Sequence, residues 1–181
     1  MKCAPSRIIN VSSDASKKGK LDFDDLPLRN YNIYEAYARS KLAQIMFTAE
    51  SHRRWSADTV VSYAVHPGAV CTDLTRNWPG IFGQLLRTAS RVLFKSPEDG
   101  CQTIVYCAVA NGLKKFSGRM FAECEPCPIL DSMRDKETCQ KLWDLSLELC
   151  GLEKEHKNVL CDVPQEETIQ DVNETTHTKS Q

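Results

Sequence analysis

Tyr37 and Lys41 are the two residues of this chain whose types and spacing could do chemistry together. On a helix, residues four apart share a face, so the phenol and the ammonium point the same way. A free tyrosine has a pKa of about 10 and is a poor acid or base at neutral pH. A neighbouring cation favours the phenolate and lowers that pKa by roughly 1–3 units, toward the range useful for proton transfer. The spacing alone is cheap in a chain with 5 tyrosines and 23 lysines and arginines. Two other stretches give it company. Residues 7–13 (RIINVSS) form an apolar run that ends in the hydroxyls of Ser12 and Ser13. Residues 59–66 (TVVSYAVH) form a second run, followed by Pro67, Gly68, Ala69, Val70, Cys71 and Thr72.

The elements that must position these groups follow from pattern. Residues 7–12 read as a buried strand, short and β-branched with no polar alternation. The insert to about Asn32 is polar and acidic and is expected to be irregular, with 16–20 a solvated turn. From about Tyr34 to Arg54 the period is helical, with Leu42, Ile45, Met46 and Ala49 on one side. Arg53 and Arg54 suit the negative end of that helix dipole. Residues 59–65 are the second strand. Ser96, Pro97, Glu98 and Asp99 make a helix start, with a hydroxyl cap, proline in the first turn and acids after it. That helix is expected to end near Asn111 and Gly112. Residues 118–122 read as a third, short strand, and 135–150 as an amphipathic helix closed by Gly151. Residues 73–94 hold Trp78, Pro79 and Gly80 and then an apolar, basic helical stretch. Two readings stay open there, a cover over an apolar substrate or ordinary packing. Alternation of strand and helix implies a parallel sheet with helices on both faces, whose ligands bind at the carboxyl ends of the strands.

Bulk properties exclude several classes. With 181 residues the prior is one domain, and 41% hydrophobic against 26% charged residues fits a globular chain. A formal net charge of −1 supplies no global basic field for nucleic acid. No run of about 18 apolar residues is present to span a membrane. Nine cysteines, scattered along the chain, do not form a small disulfide framework and read as free thiols in a reducing compartment. Cys124 and Cys127 have redox or zinc-ligand spacing, but zinc wants four ligands and no second pair stands near, so no metal is expected. Residues 153–181 are polar, lack apolar periodicity and read as a disordered tail. Asn173-Glu174-Thr175 is a glycosylation triplet taken as accidental.

A strand ending in serine, a helix carrying Tyr-x-x-x-Lys and a strand ending in Pro-Gly occur in this order. The set resembles the short-chain dehydrogenase/reductase family over roughly residues 5–152. The retinol dehydrogenase branch is the most similar, through the insert at 19–26, Ser40-Lys41-Leu42-Ala43 and His66-Pro67-Gly68. The resemblance implies the carboxyl-terminal part of a doubly wound, Rossmann-like α/β fold, with a partial domain at 1–152 and the tail at 153–181. It implies that Ser13 hydrogen-bonds the substrate oxygen, that Tyr37 exchanges the hydroxyl proton, and that Lys41 tunes the tyrosine and holds the nicotinamide ribose. It implies that Pro67, Gly68, Val70 and Thr72 cradle the nicotinamide end of NADP or NAD, NADP being favoured by branch. The substrate would be a small apolar, retinoid-like alcohol or carbonyl.

The departure from the family is the dinucleotide fingerprint. G-x-G-x-x-G after a first strand supplies the pyrophosphate contacts, and none of the 8 glycines falls in that pattern. The first βαβ half is therefore expected to be missing, which leaves an unpaired sheet edge prone to association. Two expectations follow. Either the chain belongs to an oxidoreductase and is inactive in this shortened form, or it is a non-catalytic fragment. Such a fragment would pair with a full-length relative, or with itself as a homodimer, through the Tyr37 helix and the helix starting at Ser96. Location stays open, with the cytoplasm as default and the endoplasmic reticulum membrane for a full-length form.

Overall fold

The computed structural model describes residues 6–26, 28–55, 60–70 and 94–152. Thr72, the stretch 73–93 and the tail 153–181 lie outside the described residues. Strand β1 spans Ser6–Val11, helix α1 Ile33–Trp55 and strand β2 Val60–His66. Helix α2 (Pro97–Val109) follows, then the short strands β3 (Met120–Ala122) and β4 (Glu125–Pro126). Helices α3 (Asp131–Arg134) and α4 (Lys136–Cys150) close the described chain. The sheet order is β1-β2-β3-β4. The first three strands are parallel, with Val11 opposite Val65 and Val65 opposite Phe121. Their carboxyl ends are therefore level.

β2 is buried along its length because a strand lies on either side and helices cover both faces. Successive side chains alternate between those faces. Val61, Tyr63 and Val65 join Cys107 of α2, Leu113 and Phe121 in one cluster. Ala64 faces the other way, onto Ile45 and Ala49 of α1 with Met120 and Met133. Leu42, Ile45, Met46 and Ala49, the expected apolar side of α1, are all buried. α4 packs along the same helix through Cys139 on Leu42 and Met46, and through Trp143 stacked on Phe47 at 5.0 Å.

Four local findings depart from the sequence expectations. β1, expected to be a buried strand, is exposed at its ends and only half-buried between them, because its outer edge meets no strand among the described residues. The expected solvated turn at 16–20 is not solvated throughout: Asp14–Lys18 forms a 3-10 helix, and within the turn Ser16 is buried. The cause is close packing. A Cβ on Gly19 would fall 2.5 Å from the Ala38 carbonyl oxygen, so the insert lies directly on α1. Arg53 and Arg54 also do more than face the helix dipole. They hold the buried Glu50 carboxylate at 2.8 and 2.7 Å, compensating a charge that would otherwise be costly to bury. Lastly, β4 adds an antiparallel strand after β3, joined by the two-residue loop Glu123-Cys124.

Candidate active site

The end of β1 and the start of α1 are fastened by a reciprocal pair of bonds. Lys41 sends its ammonium to the Val11 carbonyl at 2.9 Å and to Gln44 Oε1 at 3.2 Å. Ser12 returns the bond, its hydroxyl donating to the Lys41 carbonyl at 2.8 Å. Helix α1 can present Lys41 there because its amino end is fixed by Asn32. The Asn32 side-chain oxygen accepts from the backbone N–H of Tyr34 at 2.9 Å and of Glu35 at 3.3 Å.

The adjacent serines have different surroundings. Ser12 is buried, only 3% exposed, and its proton is committed to Lys41. Ser13 is half-buried and caps the 3-10 helix, its oxygen accepting from the Ala15 N–H at 3.2 Å. Among the described residues, the Ser13 hydroxyl proton has no acceptor, so it can still be donated outward. Tyr37 is 36% exposed, one turn before Lys41, whose ammonium lies 5.6 Å from the ring centroid. The structure thus brings Ser13, Tyr37 and Lys41 to one end of the sheet, with a phenol open to solvent.

Pro67, Gly68 and Val70 follow the end of β2 at that same level. Gly68 has φ +88, a backbone conformation that favours glycine. Its α-carbon faces the Lys95 side chain, and a Cβ there would stand 3.4 Å from that lysine's methylenes. Val70 pairs with Lys95 in a parallel bridge. The Lys41 ammonium and Tyr37 hydroxyl are the donors a ribose would need. The residues present fit a nicotinamide nucleoside in chemistry.

Sequence reasoning missed three residues around this end. His66, the last residue of β2, stands with Nε2 at 3.9 Å from Asp14 Oδ2. Asp14 in turn pairs with Lys17 at 2.8 Å. The Lys17 bond, aided by His66, holds the Asp14 carboxyl below its usual range against partial burial. Lys95 is the third. It falls between the stretch 73–94 and the helix start at Ser96 and enters neither reading; its place just before the Ser96 cap was the available signal.

Comparison with known proteins decides the family. No family model matches the chain. Mouse Retinol dehydrogenase 12 is 39% identical over 153 residues, covering 84% of this chain and 48% of the relative. Human Retinol dehydrogenase 14 is 40% identical over 154 residues, with 83% and 46% covered. Human Dehydrogenase/reductase SDR family member 13 is 38% identical over 154 residues, with 83% and 41% covered. The chain belongs to the short-chain dehydrogenase/reductase family. Within it the chain is retinol dehydrogenase-like, and it spans about half the length of the curated relatives it matches. The crystal structure of an uncharacterized protein from Mycobacterium paratuberculosis superposes with a TM-score of 0.58 at 24% identity, over 81% of this chain and 50% of that one. This is a fold likeness, and the mostly parallel described sheet matches part of a Rossmann-like fold.

Cys124 and Cys127, on either side of β4, are free thiols. Burial raises the Cys127 thiol above its ordinary range, the opposite of an activated nucleophile. Among the described residues, no helix is long and apolar enough to cross a membrane.

Proposed function

We propose that the chain carries the proton-transfer side of a nicotinamide-dependent oxidoreductase that interconverts an alcohol and a carbonyl. The observation that supports this reading is the reciprocal Lys41–Val11 and Ser12–Lys41 clasp, which ties the Lys41 turn of α1, next to Tyr37, to the carboxyl end of β1, next to Ser13. The nicotinamide, when bound, supplies the hydride. Ser13 donates a hydrogen bond to the substrate oxygen, and Tyr37 gives it a proton in reduction or takes one in oxidation. Lys41 stands behind Tyr37 with one N–H donor left for a ribose hydroxyl. Pro67, Gly68, Val70 and Thr72 line the nicotinamide end. Family membership among retinol dehydrogenases supports an apolar, retinoid-like substrate and NADP or NAD as cofactor. Residues 1–152 act as the family domain and 153–181 as a tail.

The test is turnover of an apolar aldehyde with NADPH or NADH by a full-length version and by its Tyr37→Phe variant, the shortened chain itself being expected to be inactive. General acid–base catalysis contributes about 10²–10⁴-fold, so the variant should lose that much in kcat with nucleotide affinity kept. Equal turnover by Tyr37→Phe would remove Tyr37 from the mechanism.

A second reading has the chain pair with a full-length relative without catalysing. Val105 and Val109 favour it, being large apolar side chains left exposed on α2. Co-purification with such a relative, together with no nucleotide binding by the chain alone, would select it.

A further inference from the structure

We propose that Lys95 and Glu123 form a strap that positions the Gly68–Val70 segment for the nicotinamide, a role that rests on the dehydrogenase reading above. Lys95 touches that segment in three ways. Its backbone N–H donates to the Ala69 carbonyl at 2.9 Å. It pairs with Val70 in the isolated parallel bridge. Its methylenes lie against Gly68, where a Cβ would be 3.4 Å from Cδ and Cε and 3.5 Å from the ammonium. From there the ammonium reaches both carboxylate oxygens of Glu123, one of them at 2.6 Å. The segment is held from the other side as well. Val70 packs on α2 so closely that a Cβ on Gly100 would fall 2.4 Å from Val70 Cγ2.

The far end of the strap is a tight loop tied to its surroundings by backbone bonds. Glu123 has φ 51 and Cys124 φ 62, the backbone signature of a two-residue type I′ hairpin loop. Asn-Gly is the preferred filling of that loop, so two ordinary side chains are strained there. Strain of this kind persists only where the surroundings over-determine it. Here the Cys124 N–H donates to Thr103 Oγ1 of α2 at 3.2 Å, and the Cys127 N–H donates to the Met120 carbonyl at 2.7 Å. Glu123 therefore offers its carboxylate from a fixed place, and Lys95 is drawn across Gly68 to meet it.

Exposed ion pairs add little to global stability, and both side chains here are at least a third exposed. The consequence is local: the pair orders residues 68–70 and leaves the core unaffected. Lys95 and Glu123 are thus positioning residues.

The experiment uses the full chain labelled with nitrogen-15. Amide exchange is read at residue 95, whose N–H bonds to Ala69, and nucleotide affinity is read by NADPH fluorescence. In Glu123→Gln the residue-95 amide should exchange about fivefold faster, the ratio that about 1 kcal/mol supports. The Tyr63 and Ala64 amides should keep their rates. NADPH should dissociate about fivefold more readily, and the exchanged pair Lys95→Glu with Glu123→Lys should restore both readouts. Lys95→Met should match Glu123→Gln. Should that variant not fold, Glu123→Gln decides alone, since its side chain is exposed. Unchanged exchange at residue 95 in Glu123→Gln overturns the strap. Faster exchange with unchanged NADPH affinity overturns its role in positioning. Faster exchange in a chain that never binds NADPH leaves the strap standing and removes the dehydrogenase reading instead.

Discussion

The two sides of the sheet differ in what covers them. In β2, five consecutive residues are buried, and in β3 Met120 and Phe121 are buried too. In β1 none is: Ser6 and Val11 are exposed and the four between them half-buried. The reason is position. β2 has a neighbour on each side, whereas the far edge of β1 meets no strand among the described residues. Stability is concentrated at β2 and β3. The groups fitted for chemistry stand at the end of β1 and on the first turns of α1, where an open phenol and a spare hydroxyl proton can meet a ligand. A site must leave some polar groups unsatisfied, and a core cannot. The sheet separates the two demands laterally.

The sharpest way to break this comparison is to remove a large side chain from each side. Phe121 is fully buried, edge-on to Tyr63 at 5.5 Å and to Phe116 at 6.1 Å. Phe121→Ala should cost about 3–5 kcal/mol, a large share of the ~5–15 kcal/mol a domain of this kind has in hand. Val11 is 40% exposed on the edge strand, and Val11→Ala should stay within about 0.5 kcal/mol. Urea unfolding of the two variants measures the difference. Equal losses would mean that the open edge of β1 is covered in solution.

A smaller effect separates the two sides by pH. Burial pushes the Cys107 thiol up from 9.0 to about 12, with Cys124 nearby adding to it. Burial also pushes Tyr63 from 10.0 to about 12. Both groups are neutral in the folded chain and ionise more easily once unfolded. Their contribution is therefore complete below the unfolded values, near pH 9 and 10, and is lost as pH rises toward 12. Asp14, beside the proposed site, has the opposite sign. Its lowered pKa contributes stability above 3.8 that disappears as pH falls through the folded value. Urea midpoints followed across pH should show an alkaline limb that Cys107→Ala flattens and an acid limb that Asp14→Asn flattens. An alkaline limb unchanged by Cys107→Ala would show that this thiol does not ionise on unfolding.

Most of the architecture was legible because periodicity reports burial. The unbroken apolar run of β2 and the spacing of Leu42, Ile45, Met46 and Ala49 each name a buried face, and the structure buries them. The caps at Ser96 and Gly151 were legible because cap chemistry is local to a few residues. The 3-10 helix was not, since it depends on Gly19 meeting the Ala38 backbone, a contact between distant residues. Nor was β4. A two-residue loop of Glu123 and Cys124 lacks the Asn-Gly signal, and tertiary ties override its local preference. Of the proposed site, Tyr37 and Lys41 follow from spacing and family resemblance, and Ser13 from the resemblance. The use of Ser12 as a clasp could not, because it rests on which of two adjacent hydroxyls faces the helix. Lys95 and His66 were hidden for the same reason: their partners, Glu123 and Asp14, lie 28 and 52 residues away in sequence.

The smallest predicted effect tests that override, on the packed side of the sheet. Cys124 adopts φ 62 with a side chain that disfavours it. Glycine reaches that region without penalty but gives the unfolded chain more freedom, at roughly 0.5–1 kcal/mol. Relief of about 1–2 kcal/mol set against that cost leaves Cys124→Gly more stable by a few tenths to about 1 kcal/mol. The backbone bond from residue 124 to Thr103 survives the change, and only a weak thiol contact at 3.9 Å is lost. Thermal and urea unfolding should both move upward, and Lys95–Glu123 pairing should be kept because the loop geometry is kept. A Cys124→Gly chain that is less stable would mean that the thiol itself holds the hairpin onto α2. The far end of the strap would then be held by side-chain packing, and not by a strained turn fixed by its backbone bonds.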